Sequence, residues 1–330
     1  MQANQMKAIV ASGYGSSEVL QLTSVEKPNP GPGDVLVKVA ASSVTTADTM
    51  MLTGKPYIAR LFVGLTKPKY PITGTGFAGT VEAIGSEVNN FTTGEEVFGE
   101  TTLGFSTNAG YVVVPANGII LPKPVSMSFS EAASYGDGAI TSYNFLKRIA
   151  KVQPGQRVLI NGAAGSLGTA AVQIASILGA HVTGVCSARN IGLIKSLGAD
   201  EVIDYQKQDF TDMDTQYDII FDTVGKSSFT RSKNVLAKKG IYLSPVLKFS
   251  LLLQMMLTSL FGEKKAIFEA TGANKEDTLK GLLEDLVKIH NKGQLKIIID
   301  RQYPLERVPQ AYQYISCGHK KGNVVIVNAA

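Results

Sequence analysis

The chain has no tryptophan, three histidines and only two cysteines, Cys186 and Cys317, in 330 residues. The cysteines lie far apart and form no CxxC pair. That argues against a disulfide framework and against a structural zinc lobe, and suits a reducing compartment, the cytoplasm being the expectation. Long hydrophobic runs are missing too. The strongest, residues 249–261, is too short to span a bilayer and contains Gln254, Thr258 and Ser259. It reads first as a buried or interface helix, with contact to a membrane surface as the lesser alternative. Residues 1–7 are polar and lack the apolar core of a signal peptide. Charge is sparse: 18% of residues are charged, and the net charge is +5. The lysines and arginines are scattered, so an anionic phosphate ligand accounts for the excess without a nucleic-acid footprint. Neither a membrane nor a nucleic acid is an expected partner.

What is present is ordinary for a soluble enzyme of two domains: hydrophobic residues make up 44% of a chain of this length. The first third is β-rich. Short strand-like runs at 6–11, 34–41, 77–84 and 96–99 alternate with Pro and Gly breaks such as Pro28, Pro30, Gly31, Pro32 and Gly33. From Pro154 the pattern changes to strands alternating with helices. Strands are predicted at 157–161, 181–186, 202–204, 217–222 and, last, 241–245; helices are predicted at 169–178 and 190–197. Such alternation implies a parallel, doubly wound sheet. The tail is predicted as a helix over 275–291, a strand over 296–299, a helix over 308–316 and a strand over 323–327.

The most informative element is Asn161-Gly162-Ala163-Ala164-Gly165-Ser166-Leu167-Gly168. It leaves the strand Val158-Leu159-Ile160 and enters a helix, the context that a dinucleotide-binding turn requires. Gly165 removes a Cβ that would block a pyrophosphate, and Gly168 lets the helix lie close to the sheet. The helix N-terminus offers free N–H groups and partial positive charge. Ala164, Gly165, Ser166 and Leu167 are therefore cofactor-binding candidates. Ala163 stands where the usual fingerprint has its first glycine. An NAD site places an acid at the end of the next strand for the ribose 2′-hydroxyl. Here that residue is Cys186, followed by Ser187, Ala188 and Arg189. A missing carboxylate removes repulsion of a 2′-phosphate, Ser187 and Arg189 offer a donor and a positive charge, and Tyr205 offers a hydroxyl. The expected cofactor is NADPH.

Further segments recur in order: Val35-Leu36-Val37-Lys38-Val39, residues 74–79 with Val81-Glu82-Ala83-Ile84-Gly85, and Thr93-Gly94-Glu95-Glu96-Val97-Phe98-Gly99. Ala132-Ala133 with Thr141-Ser142-Tyr143, Ser196-Leu197-Gly198-Ala199-Asp200, Asp222-Thr223-Val224-Gly225 and residues 318–327 follow. With the 162–168 turn, they give a chain that resembles the medium-chain dehydrogenase/reductase superfamily, in its quinone oxidoreductase-like branch. The resemblance covers nearly the whole chain and implies an α/β protein of two parts. One is a GroES-like β-barrel domain over residues 1–123, completed by 268–330. The other is a doubly wound parallel-sheet Rossmann domain over 124–267, with the cofactor cleft at their junction. The resemblance also implies that Thr141, Thr223 and Val224 flank the nicotinamide ribose. Ser244 and Pro245 would then meet the carboxamide, and Lys321 and Asn323 would return over the cofactor. Relatives of this kind often form homodimers through the edge strand of the sheet, here residues 241–245.

Zinc alcohol dehydrogenases of the same superfamily need a Cys, a His and a Cys or Asp around their metal. The matching positions here are Thr45, Thr75 and Asp137, which do not make a zinc site. The branch usually carries Val-Asn-x-x-Asp beside the nicotinamide; this chain has Val44-Thr45-Thr46-Ala47-Asp48. Thr45, Asp48 and Tyr57 are the catalytic candidates, with Tyr135 and Asp137 nearby. Whether Tyr57 or solvent supplies a proton stays open. A metal-free hydride site suits a small hydrophobic electrophile, a quinone or an α,β-unsaturated carbonyl (an enone), whose conjugation spreads the incoming charge. The expected activity is that of a zinc-independent NADPH-dependent oxidoreductase. The alternatives are a cofactor-binding regulatory or structural protein with little turnover and, less favoured, an alcohol dehydrogenase.

Overall fold

The computed structural model describes residues 4–55 and 57–328; the side chains of Ile58, Phe62 and Asp137 lie outside that description, and with them the Asp137 position named above. Two compact units emerge: Met1–Asp137 with Gly272–Asn291 and Ile297–Ala330, and Gly138–Thr271 with Lys292–Lys296. The second is inserted into the chain of the first.

The first unit begins with an antiparallel pair, β1 (Gln5–Ala11) and β2 (Leu20–Glu26). Then come β3 (Asp34–Val44), β4 (Gly76–Ile84), β5 (Glu96–Glu100), β6 (Tyr111–Pro115) and β7 (Ile120–Pro122). β3 organises this unit. Its first half pairs with β4 on one side and β6 on the other. Val35, Val37 and Val39 alternate inward against Phe77, Val81, Val97, Val112 and Ile120. Full burial of each such valine contributes about 1.5–3 kcal/mol. Register shifts at Leu36/Val37 and Val39/Ala41 bend the strand.

In the second unit, β8 (Arg157–Asn161), β9 (His181–Cys186), β10 (Glu201–Asp204), β11 (Tyr217–Asp222), β12 (Leu236–Ser244) and β13 (Lys265–Phe268) form one parallel sheet. Its order is β10-β9-β8-β11-β12-β13. Strands covered on both faces need continuous apolar runs, and Val158-Leu159-Ile160 and Ile219-Ile220-Phe221 are buried throughout. Phe145 stacks on Phe221 at a centroid distance of 4.9 Å. The strand order reverses between β8 and β11, and ligands of such sheets bind at the carboxyl ends of the strands at that point.

The chain then returns to the first unit. The helix Glu276–Asn291 is followed by β14 (Ile299–Pro304), the helix Val308–Ser316 and β15 (Asn323–Val327). β15 lies between β14 and the second half of β3, with Val324 opposite Val44. Val44, Leu305, Val308, Tyr312, Val324 and Ile326 share a core cluster.

The α/β architecture, with a GroES-like part and a parallel doubly wound sheet, is as expected. Three local expectations need correction. Residues 241–245 are neither the last strand nor an edge: β12 ends at Ser244 and pairs with β11 and with β13, which is the edge. The strand expected at 296–299 starts at Ile299 instead, because its hydrogen bonds run along β15. Of the two readings of the apolar run at 249–261, a buried helix is not met, while an interface helix is left standing. The run forms the helix Phe249–Leu260, but Phe249 is 84% exposed and Leu260 68%. Among the described residues no helix is long and apolar enough to cross a membrane.

Candidate functional site

The turn after β8 is built for an anion. Gly162 adopts a positive φ of 80°, and an added Cβ there would sit 2.6 Å from Val224 Cγ1 and 2.7 Å from Thr223 Oγ1. The N–H groups of Gly162 and Ala163 both donate to Val185 O, at 3.2 and 3.0 Å, which ties the turn to β9. Gly165 is the N-cap of the helix Ser166–Ile177, and with no side chain it leaves the first N–H groups without a capping acceptor. A Cβ on Gly165 would meet only Gly162 O, at 3.7 Å; the space above it is open. At Gly168 a Cβ would collide with Gly162 O and lie 2.6 Å from Ala163 Cα. Ala164 and Ser166 are buried beneath this turn. An open glycine beside an uncapped helix N-terminus, held by a glycine that cannot be enlarged, has the geometry that accepts a pyrophosphate.

The residues expected around the riboses come from the ends of β9, β10 and β11. Cys186 is buried, and burial, reinforced by the Asp204 carboxylate, pushes its thiol up to about 11. It is a neutral residue at the position where an acid would accept from a 2′-hydroxyl. Ser187 Oγ accepts from Asn190 Nδ2 at 3.2 Å, while Arg189 and Tyr205 are exposed beside it. The Tyr205 N–H donates to Cys186 O at 3.2 Å, so Tyr205 and Ser187 stand at the same corner of the sheet.

Sequence reasoning missed the residue that organises the neighbouring loop. Asp222, at the end of β11, is fully buried. Its Oδ1 accepts from Asn161 Nδ2 (2.9 Å) and Gly225 N (3.0 Å). Its Oδ2 accepts from Ser227 N (2.9 Å) and Tyr242 Oη (2.8 Å). All its lone-pair directions are used, so the carboxylate fixes Thr223, Val224 and Gly225 against the turn. Thr223 Oγ1 donates to Asn161 O at 2.8 Å, and Ser244 Oγ to Asp222 O at 2.9 Å. Lys248 Nζ donates to Gly225 O and, at 3.3 Å, to Ser227 O. The available signal was the Asp-Thr-Val-Gly run directly after an apolar strand. Thr141 is buried in the helix Ile140–Tyr143, whose Ser142 Oγ donates to Leu167 O at 2.8 Å. Ala164–Leu167, Ser187, Arg189, Tyr205, Thr223, Val224 and Ser244 thus gather along the carboxyl ends of β8–β12, with Pro245 directly after Ser244.

The remaining candidates lie in the first unit. Thr45 and Asp48 form a capping box at the helix Thr46–Thr53. The Asp48 N–H donates to Thr45 Oγ1 at 3.0 Å, and Asp48 Oδ2 accepts from Thr45 N (2.8 Å) and Thr45 Oγ1 (2.9 Å). Both residues are buried. Asp48 also borders a small cleft with Tyr14, Met51, Val63, Tyr70 and Tyr312. Burial, then the Asp48 carboxylate, raises the Tyr312 phenol well above its usual range. Tyr57 is 66% exposed, with the Arg60 guanidinium 4.9 Å from its ring centroid. Tyr135 is fully buried and bonded to His290 Nδ1 at 2.9 Å. Lys321 N donates to Asp300 Oδ2 at 2.9 Å, and Asn323 Nδ2 to Ile298 O at 3.1 Å. Among the described residues, no group of three His, Cys, Asp or Glu side chains is placed to hold a metal ion.

Known proteins share this fold and resemble the chain in sequence. Residues 31–125 match the family model of the alcohol dehydrogenase GroES-like domain, and residues 197–326 that of a zinc-binding dehydrogenase. A chloroplastic quinone-oxidoreductase homologue of Spinacia oleracea is 30% identical over 348 residues, 99% of each chain. A mitochondrial NAD(P)H oxidoreductase of Homo sapiens is 29% identical over 97% of this chain and 89% of its own. The structure of the quinone oxidoreductase from Coxiella burnetii superposes with a TM-score of 0.86 at 28% identity, covering 98% of this chain and 99% of that one. The glycine cradle, the strand order and these likenesses over full length lead to one assignment: the chain belongs to the medium-chain dehydrogenase/reductase superfamily and is an NAD(P)H oxidoreductase of its quinone oxidoreductase-like branch.

Proposed function

We propose that the protein is a zinc-independent reductase that uses NADPH to reduce quinones or α,β-unsaturated carbonyl compounds. The observation that carries this reading is the uncapped helix N-terminus at Gly165, beside a β9 that ends in a neutral Cys186. In this reading the Gly165 N–H closes the turn by donating to Gly162 O at 3.1 Å, the N–H groups at the start of the helix Ser166–Ile177 hold the pyrophosphate, and Ser187, Arg189 and Tyr205 surround a 2′-phosphate. Thr223 and Val224, fixed by Asp222, orient the nicotinamide ribose together with Thr141. Ser244 and Pro245 take the carboxamide side, and Lys321 and Asn323 are carried as further contacts by resemblance. The bound cofactor supplies the hydride; the protein's part is to hold and orient.

Zinc does not fit the donor set. Thr45 and Thr75 stand where the metal enzymes need a thiolate and an imidazole, and the Thr45 hydroxyl already donates to Asp48. Both positions lie outside the 197–326 span matched to the zinc-binding dehydrogenase model. The same capping box occupies Thr45 and Asp48 with each other, which leaves the Tyr57 phenol or water to protonate the reduced acceptor. Without a metal to stabilise an alkoxide, the acceptor must delocalise the incoming charge itself, as quinones and enones do.

Turnover of NADPH and NADH with a panel of quinones, enones and simple aldehydes tests the reading. Reduction of quinones or enones without bound zinc is the expected result. Tight NADPH binding with no turnover would instead favour a non-catalytic, cofactor-binding role. Cys186→Asp restores the acid that selects a 2′-hydroxyl. It should lower the NADPH-to-NADH ratio of kcat/KM by about 10- to 100-fold, because a carboxylate there repels a 2′-phosphate and accepts a charge-assisted hydrogen bond from a 2′-hydroxyl. An unchanged ratio would remove position 186 from cofactor choice.

A further inference from the structure

Gly225 and Ser227 are gripped from two sides by opposite charges. Both of their N–H groups end on the buried Asp222 carboxylate, at 3.0 and 2.9 Å. Both of their carbonyl oxygens accept from one ammonium, Lys248 Nζ. The loop also meets a wall: Gly225 has a positive φ of 66°, and a Cβ there would lie 2.8 Å from Val246 Cβ and Cγ1. Residues 223–227 therefore pack flush on the segment that leaves β12. That segment is tied to the same aspartate, because Ser244 Oγ accepts from Val246 N at 3.2 Å and donates to Asp222 O at 2.9 Å.

The helix that follows gives no reason for a lysine at 248. Lys248 is the N-cap of the helix Phe249–Leu260, and its side chain caps nothing. A helix N-terminus favours negative charge and a cap that accepts hydrogen bonds; an ammonium has the wrong sign and no lone pair. Lys248 is half-buried, and among the described residues it pairs with no carboxylate: both its bonds go to backbone oxygens. An ammonium drawn out of water needs acceptors, and these two carbonyls supply them. Asp222 fixes only the donor side of the loop. The peptide planes that follow Gly225 and Ser227 are still free to turn, most easily at the glycine. Lys248 takes hold of the oxygens of those two planes.

We propose that Lys248 is a positioning residue for the nicotinamide half of the cofactor, holding Thr223, Val224 and Gly225 in the conformation that receives the nicotinamide ribose. This rests on the cofactor reading given above and adds a division within it. Neither Lys248 bond involves a residue assigned to the pyrophosphate or to the 2′-phosphate. The two ends of the cofactor are thus supported by separate devices, and loss of Lys248 disturbs only one of them.

Calorimetric titration of the full chain with NADPH and with adenosine 2′,5′-diphosphate, which has the 2′-phosphate but no nicotinamide, tests this. Lys248→Met keeps the apolar stem and removes the donors. It should weaken NADPH binding about tenfold and leave the diphosphate within about twofold of the parent. Lys248→Arg, which can again donate to two carbonyls, should recover part of the loss. Gly225→Ala, which presses the loop off Val246, is an independent variant and should show the same one-sided loss. Equal losses for both nucleotides, or unchanged NADPH affinity in Lys248→Met, would overturn the role of Lys248 while the cofactor reading stands. A parent protein that binds neither nucleotide would overturn both.

Discussion

Gly165→Val should weaken NADPH binding by about 100-fold or more, a loss of about 2.7 kcal/mol, while leaving the thermal midpoint within a few degrees of the parent. The two effects separate because of where the new atoms go. Gly165 has φ −77° and ψ −178°, extended values that valine adopts readily. Its Cβ would touch nothing closer than Gly162 O at 3.7 Å. The fold has no reason to resist the change, but the space filled is the space assigned to the pyrophosphate. Gly168→Ala should do the reverse. Its Cβ would press on Gly162 O and Ala163, so it should lower stability before binding is considered. Fluorescence titration with NADPH and differential scanning fluorimetry read the pair. Unchanged affinity in Gly165→Val would place the phosphates elsewhere.

Asp222→Ala should be the most destabilising single change in the second unit, at about 4 kcal/mol. It leaves Asn161 Nδ2, Gly225 N, Ser227 N and Tyr242 Oη without their acceptor, and each buried donor so stranded costs about 1–3 kcal/mol, less than additively. The midpoint of unfolding should fall by about 8–16 °C. Asp222→Asn keeps one acceptor oxygen but points an NH₂ group at two donors, so its loss should be intermediate. Because the carboxylate sets the 223–225 loop, Asp222→Asn should also raise the KM for NADPH more than the KM for the acceptor. A loss of stability with no change in cofactor KM would reduce Asp222 to a purely structural residue.

Much of the second unit was legible because its signals are local. β8 and β11 centre on the apolar triplets Val158-Leu159-Ile160 and Ile219-Ile220-Phe221, β9 on valines around Thr183 and Gly184, and the predicted limits 157–161, 181–186 and 217–222 coincide with those observed. The helix Val308–Ser316 and β15 were equally clear. β2 was not, because Leu20–Glu26 is mostly exposed and its strand character comes from pairing with β1 alone. β13 has four residues and follows a helix, so nothing in Lys265–Phe268 announces a sheet edge. β14 was misplaced because Leu295, Ile297 and Ile298 form a better apolar run than Asp300-Arg301-Gln302, whose strand conformation is imposed by β15. In the site, the glycine turn could be read from spacing. The four bonds to Asp222 could not, since Asn161, Gly225, Ser227 and Tyr242 meet only when the sheet is assembled. Nor could exposure of the 249–260 helix, since apolar periodicity identifies a stripe but not whether anything covers it.

The position of β15 has a consequence for synthesis. Val324 pairs with Val44, so the first unit places its last strand directly against one of its earliest. While the ribosome is still adding residues beyond 300, β3 lacks one neighbour and the Val44 end of its core stays open to water. Residues 138–271 are by then free of the exit tunnel and can close their parallel sheet on their own contacts. The amino-terminal strands are thus made first and finished last. Across that interval they are the part of the nascent chain most exposed to mispairing, and a chaperone would find its longest-lived substrate there.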